Sequence, residues 1–220
     1  MFAGLLAGAP ASQAPPIFHP GAPGQPSRTV TAAEALRLGR STFIAADVAF
    51  MQHMIVHHAQ AVEMVELLKR RGSHPRVKLL GRRIALSQQA EMDLMRGWLT
   101  DRDQPLETRG AGGPASHADM DHAAHGGMGA PGGAAEDTPV MGGMLTPRQM
   151  RTLAAASGAA FDRLFLEGMI QHHQGALSMV DELMAKPGAG EDTLLSDFLT
   201  SVVADQSAEI LRMQSLLSEL

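Results

Sequence analysis

Two short stretches of the chain set a thioether beside paired imidazoles at helical spacing. Met54-x-x-His57-His58 recurs as Met169-x-x-His172-His173, and the likeness extends through Asp47/Asp162, Phe50/Phe165, Ala61/Ala176 and Met64/Met179. Residues three and four apart share a helix face, so each copy offers one sulfur and two ring systems within a turn. The spacing is that of the Glu-x-x-His motif of di-iron and di-manganese bundles, with methionine where that motif needs a carboxylate. The exchange moves the preference from hard iron toward Cu(I), or Ag(I) as its chemical analogue, because soft ligands select soft ions. The chain has no cysteine but fifteen methionines and ten histidines, so soft-metal chemistry has only thioether and imidazole to work with.

A second set of the same donors, His117, Met120, His122, His125 and Met128, with Met141 and Met144 beyond, lies in a stretch dense in Gly and Pro. No periodicity survives there, and such composition does not build a packed element. It reads as a flexible linker of about 40 residues that doubles as a metal-collecting arm, a plain spacer being the alternative.

The elements that position these donors follow from periodicity. Thr31-Ala32-Ala33-Glu34 is a capping box that opens the first ordered region. From Asp47 on, the positions Asp47, Phe50, Met54, His58, Ala61, Val65 and Leu68 form one stripe at the helical period, with Met51 and His57 on its flanks. Gly72 and Pro75 punctuate the chain, and a second helix is expected over 75–100 with the stripe Leu80, Ile84, Gln88, Glu91, Met95 and Trp98. Thr146 then caps a new start with Pro147 in the first helical position, and Gly158 separates a short leading helix from the second repeat. The last stripe, Phe198, Val202, Gln206, Glu209, Met213 and Leu216, repeats the Gln-x-x-Glu-x-x-x-Met of the second helix. The duplication therefore covers a whole helical hairpin, about 70 residues each time. Two such hairpins predict an all-α chain and a four-helix bundle.

Glu91 and Glu209 interrupt faces that should be apolar, and a buried carboxylate is costly unless paired. The nearest candidates are the histidine pairs. His58 and His173 are thus open to two readings, metal ligand or core imidazole hydrogen-bonded to Glu91 or Glu209. His57 and His172 fall at the stripe edge, where access for an ion is easier. Met64, Met95, Met179 and Met213 taken singly read as flexible core filler. Asp47 and Asp162 could orient an imidazole from behind a metal, or cap a turn.

The totals exclude several classes. A net charge of −5 without a basic, aromatic-interleaved run argues against nucleic acid. No apolar run approaches the roughly 20 residues of a membrane span, and no nucleophile elbow or phosphate loop suggests a hydrolase. Residues 1–28 read as a disordered tail or the remnant of a secretory signal, followed by a first hairpin over 29–100, the linker over 101–145 and a second hairpin over 146–220.

The pattern D-x-x-F-x-x-x-M-x-x-H-H-x-x-A-x-x-M followed by Q-x-x-E-x-x-x-M resembles the signature of the family called domain of unknown function 305, ferritin-like helical proteins with copper-binding members. The resemblance covers residues 31–100 and 146–220 in two copies. It implies an exported or periplasmic protein that binds copper or silver in metal sequestration, resistance or handling. Its implied site positions are Met54, His57, His58 and Met64 in one copy and Met169, His172, His173 and Met179 in the other. The copies differ: Leu166 stands opposite Met51, and Gly168 opposite His53. The reading is a non-enzymatic Cu(I) binder, monomer or homodimer, that hands its ion to a copper transporter or chaperone. The alternative is a structural or partner-binding bundle with internal His/Glu/Gln networks, and a redox metal centre is a third option.

Overall fold

The computed structural model describes residues 15–20, 24–38, 42–107 and 136–220. It divides into two units, 1–42 and 43–220. In the first, β1 (Ile17–His19) pairs antiparallel with β2 (Arg28–Val30), Ile17 opposite Val30, and α1 (Ala32–Leu38) follows. The Thr31 hydroxyl accepts from the Glu34 amide at 3.1 Å, the N-cap bond expected of this segment. The first strand lies within the stretch read as a tail and the second begins at its last residue; the pair has no signature in the hydrophobic pattern.

The second unit carries the repeat. Helix α2 (Ala45–Arg71) and α3 (Pro75–Thr100) form one antiparallel hairpin; α4 (Pro147–Ala155) leads into α5 (Gly158–Met184), which pairs with α6 (Thr193–Glu219). The two hairpins meet chiefly through α2 against α5. The result is the all-α four-helix bundle that the duplicated stripes predict, ferritin-like as the family resemblance implies. Pro75 and Pro147 both occupy the first turn of their helices, where a missing N–H costs nothing. At Thr146 the capping box is complete: its hydroxyl accepts from the Gln149 amide, and the Gln149 side chain accepts from the Thr146 amide.

The core is layered along the bundle axis. One apolar cluster joins Met64, Val65 and Leu68 of α2 to Val77, Leu80 and Ile84 of α3, Phe161, Phe165 and Met169 of α5, and Met213 and Leu216 of α6. The other joins Phe50, Met51 and Met54 to Met95 and Trp98, Val180 and Leu183, and Phe198 and Val202. The late part of α2 thus packs with the early part of α5, which makes the two repeat helices antiparallel. Each fully buried Leu, Met or Phe contributes about 1.5–3 kcal/mol. Between the clusters lies a polar layer: His57, His58, Gln88, His172, His173 and Gln206 are all buried.

Asp47 and Asp162 do structural work at opposite ends. Asp162, on α5, accepts from the Ser73 amide, the Ser73 hydroxyl at 2.6 Å and the His74 amide at 2.8 Å, which pins the α2–α3 turn of the other hairpin. A Cβ on Gly72 would stand 2.8 Å from an Asp162 oxygen, so glycine lets the carboxylate approach this turn. Asp47 reciprocates from α2, accepting from the Gly190 amide in the α5–α6 turn at 3.0 Å and from the Ile44 amide at 2.9 Å. Of the two roles open to these aspartates, the bonds are those of caps and not of imidazole orientation.

Asp192 secures the same end. It caps α6 through the Leu195 amide and accepts from the Trp98 indole at 2.9 Å and from Arg102. Burial alone would raise its pKa, but the bonds from Trp98, Arg102 and Leu195 outweigh it and hold the carboxyl below its ordinary value.

Removing a buried carboxylate strands its donors. Asp162→Ala is expected to cost roughly 3 kcal/mol, and Asp47→Ala less, because Asp162 holds more donors. Urea denaturation of the two variants checks the order; equal losses would refute the assignment of Asp162 as the stronger clamp.

Candidate metal centre in the polar layer

The four histidines of the two motifs meet where α2 crosses α5. The rings of His57 and His172 lie 3.9 Å apart between centroids, with His58 6.4 Å from His57 and His173 6.2 Å from His172. His57 and His172 are therefore not at an accessible edge, as the single-hairpin stripe suggested. They are 0% and 1% exposed, because the flank of each stripe is the surface on which the other hairpin packs.

Each ring spends its Nε2 on an acceptor. His58 Nε2 is 2.6 Å from Glu91 and His173 Nε2 is 2.7 Å from Glu209. His172 Nε2 is 2.8 Å from the His57 carbonyl, and His57 Nε2 is 3.3 Å from the Gly142 carbonyl. A carboxylate or carbonyl can only accept, so in each neutral ring the proton sits on Nε2 and the Nδ1 lone pair is left free. All four Nδ1 atoms are buried without a partner, as are the Gln88 oxygen and both amide atoms of Gln206. Each such orphan costs on the order of 1–3 kcal/mol. The layer is thus held firmly on one nitrogen of each ring and unsatisfied on the other.

Burial first, and the neighbouring His58 next, push the His57 pKa down to about 3 against a partly opposing bond to Gly142. Burial and then His57 lower that of His172 well below the ordinary value. Both rings are neutral at physiological pH, the form a metal requires.

The sulfurs are distributed by the antiparallel crossing. Met54 lies in one apolar cluster, and Met64 and Met169 in the other, all fully buried. Each motif methionine stays within a turn of its own histidines, but the two are not brought together. Met179 is partly buried at the edge of the Met54 cluster. Among the described residues no group of three or more His, Asp or Glu side chains converges on one point. A bundle ion would therefore need imidazole combined with thioether. His117, Met120, His122, His125 and Met128 lie outside the described residues.

The end of the segment read as linker is built into the bundle. Gln60 exchanges two hydrogen bonds with Leu145, donating to its carbonyl at 3.0 Å and accepting from its amide at 2.7 Å. Gln171 donates to the carbonyls of Gly143 and Met144. Met144 and Leu145 are buried. Residues 141–145 thus form a strap over the α2–α5 crossing, with its Gly142 carbonyl on His57. Contact with α5 is backbone to backbone: a Cβ on Gly175 would stand 2.4 Å from the Gly142 oxygen and from the Gly143 Cα, and Gly143 has φ +78°. Gln60 and Gln171 escaped the sequence reading. Their signal is weak, two polar residues beside histidine motifs with no neighbour in sequence to explain them.

Two outcomes follow. Because the folded state lowers both histidine pKa values, the unfolded chain binds more protons below about pH 6.5. Stability from these rings is complete above that value and is lost as pH falls, for His57 down to about 3 and for His172 in the same direction, by up to about 1.4 kcal/mol per pH unit for each histidine. Urea midpoints across this range should fall less steeply in H57Q/H172Q; an unchanged slope would refute the neutral pair. Gly175→Ala should lift the strap, at a cost of about 1–3 kcal/mol, and raise hydrogen exchange at 141–145 while leaving α3 and α6 protected.

Comparison with known proteins agrees with this architecture. The chain matches the family described as Domain of unknown function (DUF305) over residues 47–217. A DUF305 fragment from Deinococcus radiodurans is similar at 29% identity and TM-score 0.58, covering 82% of this chain and 99% of that one. A candidate secreted DUF305 protein from Streptomyces coelicolor is similar at 26% identity and TM-score 0.60, covering 79% and 93%. CopM in its Cu(I)-bound form is similar at 25% identity and TM-score 0.53, covering 79% and 96%; it is also known in a silver-bound form, similar at 26% identity. No curated protein matches the chain. The duplicated hairpin, its histidine layer and the match across nearly the whole bundle make this chain a member of the DUF305 family.

Proposed function

We propose that this protein is an exported binder of Cu(I), with Ag(I) as analogue, serving metal sequestration, resistance or handling. The observation that carries the reading is the set of four buried imidazoles whose Nε2 is fixed by an acceptor while Nδ1 is free. That is how metal-binding histidines are prepared, since the outer hydrogen bond sets the tautomer and orients the ring. His57, His58, His172 and His173 supply the nitrogens, and Met54, Met64, Met169 and Met179 the soft donors nearby. Glu91 and Glu209 act as outer hydrogen-bond partners. Similarity to CopM, crystallised with copper and with silver, supports the choice of ion. Secretion or a periplasmic location fits the description of the Streptomyces relative, and among the described residues no helix is long and apolar enough to cross a membrane. A copper transporter or chaperone is the natural recipient, and binding rather than turnover is the activity. The segment 108–135, with its His and Met residues, serves as a collecting arm.

A second reading has a specific observation behind it. The His58–Glu91 and His173–Glu209 bonds each tie the two helices of one hairpin together, as they would in a purely structural network. The readings differ under titration. Anaerobic Cu(I), competed against a chromophoric chelator, should bind the full chain and raise its melting temperature, because a ligand that binds only the folded state stabilises it. Deleting 108–135 should lower the stoichiometry without abolishing binding. No competition and no thermal shift in the full chain would leave only the structural network.

A further inference from the structure

Beside the strap, a cavity of about 240 Å³ opens between α2 and α5. Its wall carries three soft donors, the imidazole of His53 and the thioethers of Met141 and Met179, with Phe50, Ala46 and Leu183 supplying the apolar remainder. We infer that this cavity is a separate surface site for one Cu(I) or Ag(I) ion, held by His53, Met141 and Met179. The inference rests on the soft-metal reading above; it adds His53 and Met141, which lie outside the buried histidine layer, and assigns Met179 to this site.

Two thioethers and one imidazole are a donor set that favours monovalent soft ions and offers little to magnesium, calcium or zinc. All three side chains are partly exposed, so an ion reaches them without the bundle opening, which the four buried Nδ1 atoms do not allow. The cavity exceeds the volume of an ion, and two flexible methionines can close on it by rotamer changes alone. Glu182 and Lys186 on the wall balance each other, so the ion's single charge meets no net repulsion. Met141 comes from the strap, whose next residue bonds His57 through its carbonyl. Loading the cavity therefore bears on the acceptor that fixes the buried ring.

Among the described residues the site occurs once, and the departure between the two repeats explains why. Gly168 stands where the first copy has His53, which removes the imidazole. Met64, the counterpart of Met179, is fully buried, and its methyl lies 3.2 Å from where a Gly168 Cβ would be, with a Leu145 methyl at 3.0 Å. The matching cavity on that side is lined by Leu145, Leu153, Leu164, Gly168 and polar residues, with neither sulfur nor imidazole. The strap thus presents Met141 to the cavity that carries His53 and Leu145 to the one beside Gly168.

The test uses the full chain labelled with 13C at the methionine methyl groups and titrated with silver nitrate and, anaerobically, with Cu(I). Single Met→Leu variants assign the resonances. The Met141 and Met179 signals should move together and saturate at one equivalent. M141L and H53Q should each weaken the Met179 shift by about tenfold or more, and M179L the Met141 shift, with circular dichroism unchanged. Shifts confined to other methionines would overturn the cavity site and leave the copper-binding function standing. No shift at any methionine, with no competition for Cu(I), would overturn both.

Discussion

The constraint on which the bundle depends is the polar layer at its centre. Packing α2 against α5 buries four imidazoles and two glutamines between two apolar clusters, and the layer holds only because each Nε2 finds an acceptor. Two of those acceptors are carboxylates from the partner helix within a hairpin, one is the His57 carbonyl reached by His172 across the hairpin interface, and one is the Gly142 carbonyl of the strap, on His57. The carboxylates set the register of each hairpin, the His172–His57 bond that of one hairpin on the other, and the Gly142 bond holds the strap over both. A slip of one turn along α2 would break the His172–His57 bond and strand charged or polar groups in the apolar layers, which is far more costly than misplacing one leucine for another. The same logic runs to the ends, where Asp47 and Asp162 each reach across to a turn of the opposite hairpin. Specificity of assembly thus comes from a few directional bonds, and the bulk of the stabilising burial from Leu, Met, Phe and Val around them.

The duplication gives approximate two-fold symmetry, and the strap breaks it. A single chain segment cannot lie the same way on both sides of a two-fold axis, so residues 141–145 must treat the repeats differently. His57 bonds the strap, whereas its counterpart His172 bonds a helix carbonyl. Met64 is sealed under Leu145 and Met179 is left at the surface. Sequence differences at the corresponding positions, His53 against Gly168, follow the same division: the imidazole is present where there is space beside the strap, and glycine stands where Leu145 and Met64 fill that space.

The helices, their hairpin pairing and the caps at Thr31 and Thr146 were legible because they depend on local patterns: a 3.6-residue stripe, a hydroxyl before it, a proline in the first turn. The pairing of Glu91 and Glu209 with histidine was legible for a similar reason, since an anionic side chain on a buried face demands a partner. The burial of His57 and His172 was not, because a stripe viewed one hairpin at a time has two edges, and only the packing of the second hairpin decides which one is covered. The strap was hidden by its composition. Glycines usually mark segments that pack against nothing, yet at 143 and 175 their missing side chains are what allow two backbones to touch. The short strands at 17–19 and 28–30 offer too few residues for an alternating pattern to register.

A structural network and a metal site are often set against each other as explanations of buried histidine. In this bundle they draw on different atoms. The fold uses Nε2, whose hydrogen bonds lock the rings, and that locking leaves each Nδ1 without a protein partner. An ion bound at Nδ1 would keep every bond that stabilises the apo fold and relieve the cost of the orphaned nitrogen. The fold therefore does not have to choose between the two roles. What the arrangement does limit is access: a layer closed on all sides by helices and strap exchanges ions only as fast as that closure opens. Under the proposed function, rapid exchange with the surroundings would fall to donors outside the layer, on the strap and the outer turns of α2 and α5.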